Sequence, residues 1–198
     1  NIGGVILFDE TIRQCAADGT TFADLLLEQN ALPGIKVDQG LTHLENLPNE
    51  TLTTGLEGLD ERLTEYAALG ARFTKWRAVL NIGDGKPSSE AIDENMSALA
   101  QYAKCAQNNG MVPIVEPEVL MDGDHTIDAC YEATEKSLKS LFQHLEARDV
   151  DIEGTLLKPN MVTAGTECAT QASVEEVARK TLDCLISNVP VDLPGITF

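Results

Sequence analysis

Among 198 residues, 32 acidic side chains against 14 basic ones give a net charge of −18. Such a chain is repelled by nucleic acid and by anionic membrane surfaces. No apolar run approaches the ~20 residues of a membrane-spanning helix, and five scattered cysteines without a CxxC pair read as reduced thiols in a cytosolic setting.

Taken in chain order, Gly4-Val-Ile-Leu-Phe-Asp-Glu10 reads as a strand that ends in carboxylates. Helical periodicity over 21–30 leads to Pro33-Gly-Ile-Lys-Val-Asp38, a strand whose two-residue period puts Lys36 and Asp38 on one face. A second helix over 58–69 is stopped by Gly70 and precedes a strand over 71–80, in which Lys75 and Arg77 share a face opposite Thr74 and Trp76. Two cations in line form an anion or phosphate clamp. A solvated strand face is the plainer alternative, set against the scarcity of basic residues in this chain. Ile82-Gly-Asp-Gly-Lys86 reads as a loop from strand to helix. Ser88-Ser-Glu90 then opens a helix that runs to residue 109 and stops at Gly110.

Met111-Val-Pro-Ile-Val-Glu-Pro-Glu118 is apolar up to Val115 and then presents Glu116 and Glu118 on one face. Carboxylates that close cannot both ionise cheaply, so one is expected to hold a proton and pass it on; an acidic strand end in water is the alternative. A helix over 126–148 separates this strand from Gly154-Thr-Leu-Leu-Lys-Pro-Asn160. There Lys158 closes an apolar run and Pro159 stops the ladder. Burial lowers the pKa of a lysine, and its neutral amine is a nucleophile that condenses with carbonyls. A lysine that snorkels to water or pairs with a carboxylate is the alternative. Ser173-Val-Glu-Glu176 is a capping box for a helix over 173–187, and Pro194-Gly-Ile-Thr-Phe198 starts another strand.

Strand and helix alternate throughout, and charged residues gather at the carboxyl ends of several strands. That combination calls for a parallel sheet with right-handed crossovers, and for a (β/α)8 barrel rather than an open doubly wound sheet. Neither GxGxxG nor a Walker pattern occurs.

The segments Gly34-Ile-Lys-Val-Asp38, Lys75-Trp-Arg77, Ile114-Val-Glu-Pro-Glu118, Gly154-Thr-Leu-Leu-Lys-Pro-Asn-Met-Val162 and Pro194-Gly-Ile-Thr-Phe198 resemble class I fructose-bisphosphate aldolase, in that order and spacing. Gly55-Leu-Glu-Gly-Leu-Asp60 and Asp122-Gly-Asp-His125 are similar to that family too, so the likeness runs end to end. It implies a lyase of glycolysis and gluconeogenesis that cleaves fructose 1,6-bisphosphate reversibly to dihydroxyacetone phosphate and glyceraldehyde 3-phosphate. Lys158 would form the iminium and Glu116 would move the protons. Glu118 would balance the charge of the lysines, and Lys75 would sit beside Lys158. Lys36 and Arg77 would hold the phosphate of the aldehyde half. The resemblance further implies a cytoplasmic homotetramer that needs no cofactor.

A complete barrel of this type takes roughly 250 residues. The chain is therefore expected to be one barrel domain over 1–198, cut at both ends, carrying about strands 2–7. The strand with the aspartate that acts on the C4 hydroxyl, and the second phosphate site, are expected outside it. No metal is expected, since His43, His125 and His144 form no ligand cluster, and His125 is assigned to a polar loop cluster. Two other readings stay open: a transaldolase-like Schiff-base barrel, and an interaction role with cytoskeletal or membrane-pump partners.

Overall fold

A computed structural model describes residues 2–198. Six strands build one parallel sheet: β1 (Gly4–Leu7), β2 (Leu32–Lys36), β5 (Phe73–Leu80), β6 (Val112–Val119), β7 (Leu156–Leu157) and β8 (Gly195–Ile196). Their order across the sheet is β1-β2-β5-β6-β7-β8, the order along the chain. A doubly wound sheet reverses direction at a switch point, whereas a barrel adds each strand beside the last. The sheet is thus an arc of an incomplete barrel, as the alternating pattern suggests.

The longer helices follow the strands: α2 (Phe22–Glu28), α3 (Leu59–Ala68), α4 (Ser89–Asn108), α5 (Ile127–Ala147) and α6 (Val174–Asn188). Each expected helix is present within two residues of its reading. Hydroxyl caps explain their starts: Thr21, Ser88, Thr126 and Ser173 each accept a hydrogen bond from the backbone N–H three residues on. Gly70 and Gly110 close α3 and α4 with positive φ of 103° and 71°.

Strand alternation sorts the side chains of β5. Thr74, Trp76 and Ala78 are fully buried under the helices. Trp76 stacks on Tyr102 of α4 with ring centroids 5.4 Å apart, a pairing worth ~0.5–1.5 kcal/mol beyond the area buried. The Tyr102 hydroxyl meets Thr74 Oγ1 at 2.7 Å and donates to the Ile114 carbonyl at 3.2 Å, tying α4 to both central strands. On the opposite face Phe73, Lys75 and Arg77 point into the barrel. The ring of Phe73 lies over Gly34 and Gly4, where an added Cβ on Gly34 would sit 2.3 Å from it.

Three features depart from the sequence reading. Asp9 and Glu10 do not end a strand: β1 stops at Leu7 and they open a one-turn helix, α1 (Asp9–Ile12). Asp9 Oδ1 accepts from Arg13 and from the Tyr66 hydroxyl, each at 2.9 Å, which draws the chain out of the sheet. Second, an unforeseen antiparallel hairpin joins β3 (Leu41–Leu44) to β4 (Leu47–Thr53). It is docked by Thr53 Oγ1, which donates to the Arg77 carbonyl at 2.9 Å, and by buried Asn95 of α4, which donates to the Thr51 carbonyl at 2.8 Å.

Third, β7 has only two residues. Backbone groups of β6 alternate in direction: Val112 and Leu120 donate toward the β5 side, while the Val115 carbonyl accepts from Lys158 N at 2.9 Å. Pro113, Val115, Pro117 and Val119 therefore face β7, and two of these four have no N–H to offer. The edge is short of donors, so the ladder is short.

Candidate active site

Register sets the site. Lys36 of β2 lies beside Lys75 of β5, Lys75 beside Ile114 of β6, and Arg77 beside Glu116. Each β5 cation leans toward the carboxyl end and meets the carboxylate two residues beyond its register partner: Lys75 meets Glu116, and Arg77 meets Glu118. Lys158, the residue after β7, reaches Glu116 from the other side. Two lysines from different strands thus share one carboxylate: Lys158 Nζ donates to Oε1 at 2.9 Å, and Lys75 Nζ forms an ion pair with Oε2 at 2.6 Å, off the hydrogen-bonding direction.

Electrostatics follows from this geometry. Burial pushes the Glu116 carboxyl up, but the two adjacent ammonium groups outweigh it and hold the group below the usual carboxylate range. Glu118 keeps the Arg77 guanidinium firmly charged. The expectation that Glu116 and Glu118 share a proton through mutual repulsion therefore fails, because each carboxylate has its own cation. The expectation of a deeply buried Lys158 is also corrected: its side chain is 32% exposed, against 11% for Lys75 and 7% for Glu116. The amine opens on a cleft of about 320 Å³ shared with Arg77, Glu118, Asn160 and Met161.

All six residues singled out from the sequence come together on four adjacent strands: Lys36 ends β2, Lys158 follows β7, Arg77, Glu116 and Glu118 lie in the C-terminal halves of β5 and β6, and Lys75, third of the eight residues of β5, lies deeper. Asp38 joins them in a role the sequence reading did not give it. Its carboxylate pairs with Lys36, and its Oδ2 accepts from the backbone N–H of Arg77 at 3.3 Å. Four cations and three carboxylates leave the site one net positive charge inside a molecule of net −18. His125 does not belong to a polar loop cluster: it is 7% exposed and neither ring nitrogen has a partner among the described residues. Its carbonyl accepts from Gly165 N at 2.8 Å, where two loops meet. No group of three His, Cys, Asp or Glu among the described residues is placed to hold a metal ion.

The family model for fructose-bisphosphate aldolase class-I matches residues 1–198. The chain belongs to the class-I fructose-bisphosphate aldolase family. It is 56% identical over 197 residues to the "Probable fructose-bisphosphate aldolase class 1" of Xanthomonas campestris, covering 100% of this chain and 59% of that protein. It is 48% identical to "Fructose-bisphosphate aldolase 4, cytosolic" of Arabidopsis thaliana, covering 100% of this chain and 50% of that one. A Plasmodium falciparum fructose-bisphosphate aldolase, solved in complex with TRAP and a small-molecule inhibitor, superposes with a TM-score of 0.97 at 47% identity, over 100% of this chain and 57% of its own. The chain thus spans between half and three-fifths of the relatives it matches.

Proposed function

We propose that these residues form the Schiff-base half of a class I aldolase site acting on fructose 1,6-bisphosphate, with no cofactor. The observation that carries this reading is the single carboxylate, Glu116, held between the amines of Lys75 and Lys158. Lys158 passes a proton to Glu116 and adds its amine to the ketone C2, giving a carbinolamine. Glu116 returns that proton to the C2 hydroxyl, water leaves, and an iminium forms. The electron pair of the breaking C3–C4 bond then flows into the iminium as the C4 hydroxyl passes its proton to the Glu116 carboxylate, which yields an enamine and glyceraldehyde 3-phosphate and leaves Glu116 protonated to serve C3 in the next step. Protonation at C3 and hydrolysis release dihydroxyacetone phosphate and restore Lys158.

Lys75 keeps positive charge beside the reacting nitrogen. Lys36 and Arg77 hold the phosphate of the aldehyde half, and Glu118 keeps Arg77 aimed. Residues 1–198 belong to one barrel domain, of which they supply about strands 2–7, and the active protein is a cytoplasmic homotetramer. Family membership and the cytosolic Arabidopsis relative support these assignments.

Borohydride trapping tests the chemistry. The full-length protein is incubated with dihydroxyacetone phosphate, reduced, digested and mapped by mass spectrometry. The expected adduct is on Lys158, unchanged by EDTA and absent from Lys158→Met protein. Retained cleavage in Lys158→Met would sink the mechanism. Light scattering tests the tetramer.

A further inference from the structure

Lys158 lies past the end of a two-residue strand, and the residue after it, Pro159, donates no backbone hydrogen bond. Its own N–H, bonded to the Val115 carbonyl at 2.9 Å, is the last ladder contact of that strand with β6. The lysine carries a flexible four-carbon stem, so something beyond the ladder must fix the backbone from which it swings.

Asn160 meets that need. Its Oδ1 accepts from the backbone N–H of Val119 at 3.1 Å, the donor on the β6 edge that the short ladder leaves unpaired. Its Nδ2 donates to Thr134 Oγ1 on α5 at 3.0 Å and to the Met161 carbonyl at 3.1 Å, with Cys130 Sγ at 3.8 Å. Thr134 and Cys130 are both buried. One amide thus joins the turn after the lysine to the end of the strand carrying Glu116 and to the helix behind it.

The same device occurs across the site. In Lys36-Val-Asp38 the residue two beyond a strand-end lysine also takes a backbone N–H of the neighbouring strand, that of Arg77. Lysine followed at the second position by Asp or Asn is shared by both strand ends.

We propose that Asn160 is the positioning residue for Lys158, fixing the backbone of the turn so that the amine stays within reach of Glu116. The inference rests on the Schiff-base reading above. A small displacement of a reacting group by a remote change costs about 10²-fold in rate, so the loss belongs in covalent chemistry and not in substrate capture.

The test uses the full-length protein with Asn160→Ala, Thr134→Val and Thr134→Ser. It measures the rate of borohydride-trappable adduct formation with dihydroxyacetone phosphate, kcat and KM for fructose 1,6-bisphosphate, and thermal stability. Asn160→Ala is expected to slow adduct formation and kcat by about 10²-fold with KM within about threefold. Thr134→Val, which touches no substrate, is expected to move the same rate in the same direction, and Thr134→Ser to restore it. Unchanged adduct rates in both Asn160→Ala and Thr134→Val overturn the inference and leave the Schiff-base reading intact. So does a loss that follows melting temperature and disappears on cooling. Failure of the unsubstituted protein to form any adduct overturns the Schiff-base reading and this inference with it.

Discussion

Glu116→Gln separates shape from charge in the proposed site. The amide keeps an acceptor near Lys158 but takes up no proton, so turnover is expected to fall by roughly 10²-fold or more while substrate still binds. Steady-state kinetics beside equilibrium binding of an unreactive analogue checks this. Acid stability is a second reading of the same group. Its folded pKa lies below the ordinary 4.5, so its pairing stabilises the fold fully above that pH. That contribution is lost as pH falls through the lower folded value. Acid unfolding of Glu116→Gln is therefore expected to vary less steeply with pH below about 4.5 than that of the unsubstituted protein. The six residues of the proposed site were legible because Lys36, Glu116, Glu118 and Lys158 are charges at the end of apolar runs, and Lys75 and Arg77 are two scarce cations on one face of a strand. What sequence could not supply was who pairs with whom. Period two shows that Glu116 and Glu118 share a face, but strand register decides that Lys75 and Lys158 neutralise the first and Arg77 the second. Asn160 and Asp38 carry a faint signal, a repeated lysine-x-Asx, which acquires meaning only once the neighbouring N–H groups are located.

Elements were legible where hydroxyl caps and glycine stops punctuate them, as at Ser88 and Gly110. The hairpin was not, because its turn, Glu45-Asn46, lacks the Asn-Gly or Asp-Gly signature. Nor was the length of β7, which is set by prolines in the strand beside it. Packing between elements makes its own prediction at Gly34. A methyl there meets the Phe73 ring at 2.3 Å, and the neighbouring Gly4 position is occupied by the same ring, so the ring has little room to give way. Gly34→Ala is expected to destabilise the full-length protein by ~1–3 kcal/mol, read as a lower denaturant midpoint at unchanged slope. Stability at or above that of the glycine protein would mean that the ring relocates freely.

Over the whole molecule, charge has two scales that oppose each other. The particle carries −18, which repels a bisphosphate at long range, while the strand ends present one net positive charge over a few ångströms. At ~0.1 M ionic strength the screening length is about 10 Å. The distant surface then fades and the clamp remains. The protein is expected to pass through a heparin column at that salt and to be held by an anion exchanger. Retention on heparin would reveal a basic face that the composition does not suggest, and would favour a polyanionic partner. Among the described residues, no helix is long and apolar enough to cross a membrane. The order of strands across the sheet was legible only from the alternation of strand and helix taken together with charges at several strand ends, since alternation with right-handed crossovers also fits a doubly wound sheet.

The two prolines on the inner edge of β6 carry a consequence for how such a site changes over generations. A seam made of backbone hydrogen bonds is indifferent to which side chains it carries, so substitution adjusts it little. Between β6 and the lysine turn much of that seam has been handed to one side-chain amide and the hydroxyl that receives it. If Asn160 positions Lys158 as proposed, the aim of that amine is a heritable variable, open to adjustment one codon at a time while the barrel around it stays as it is.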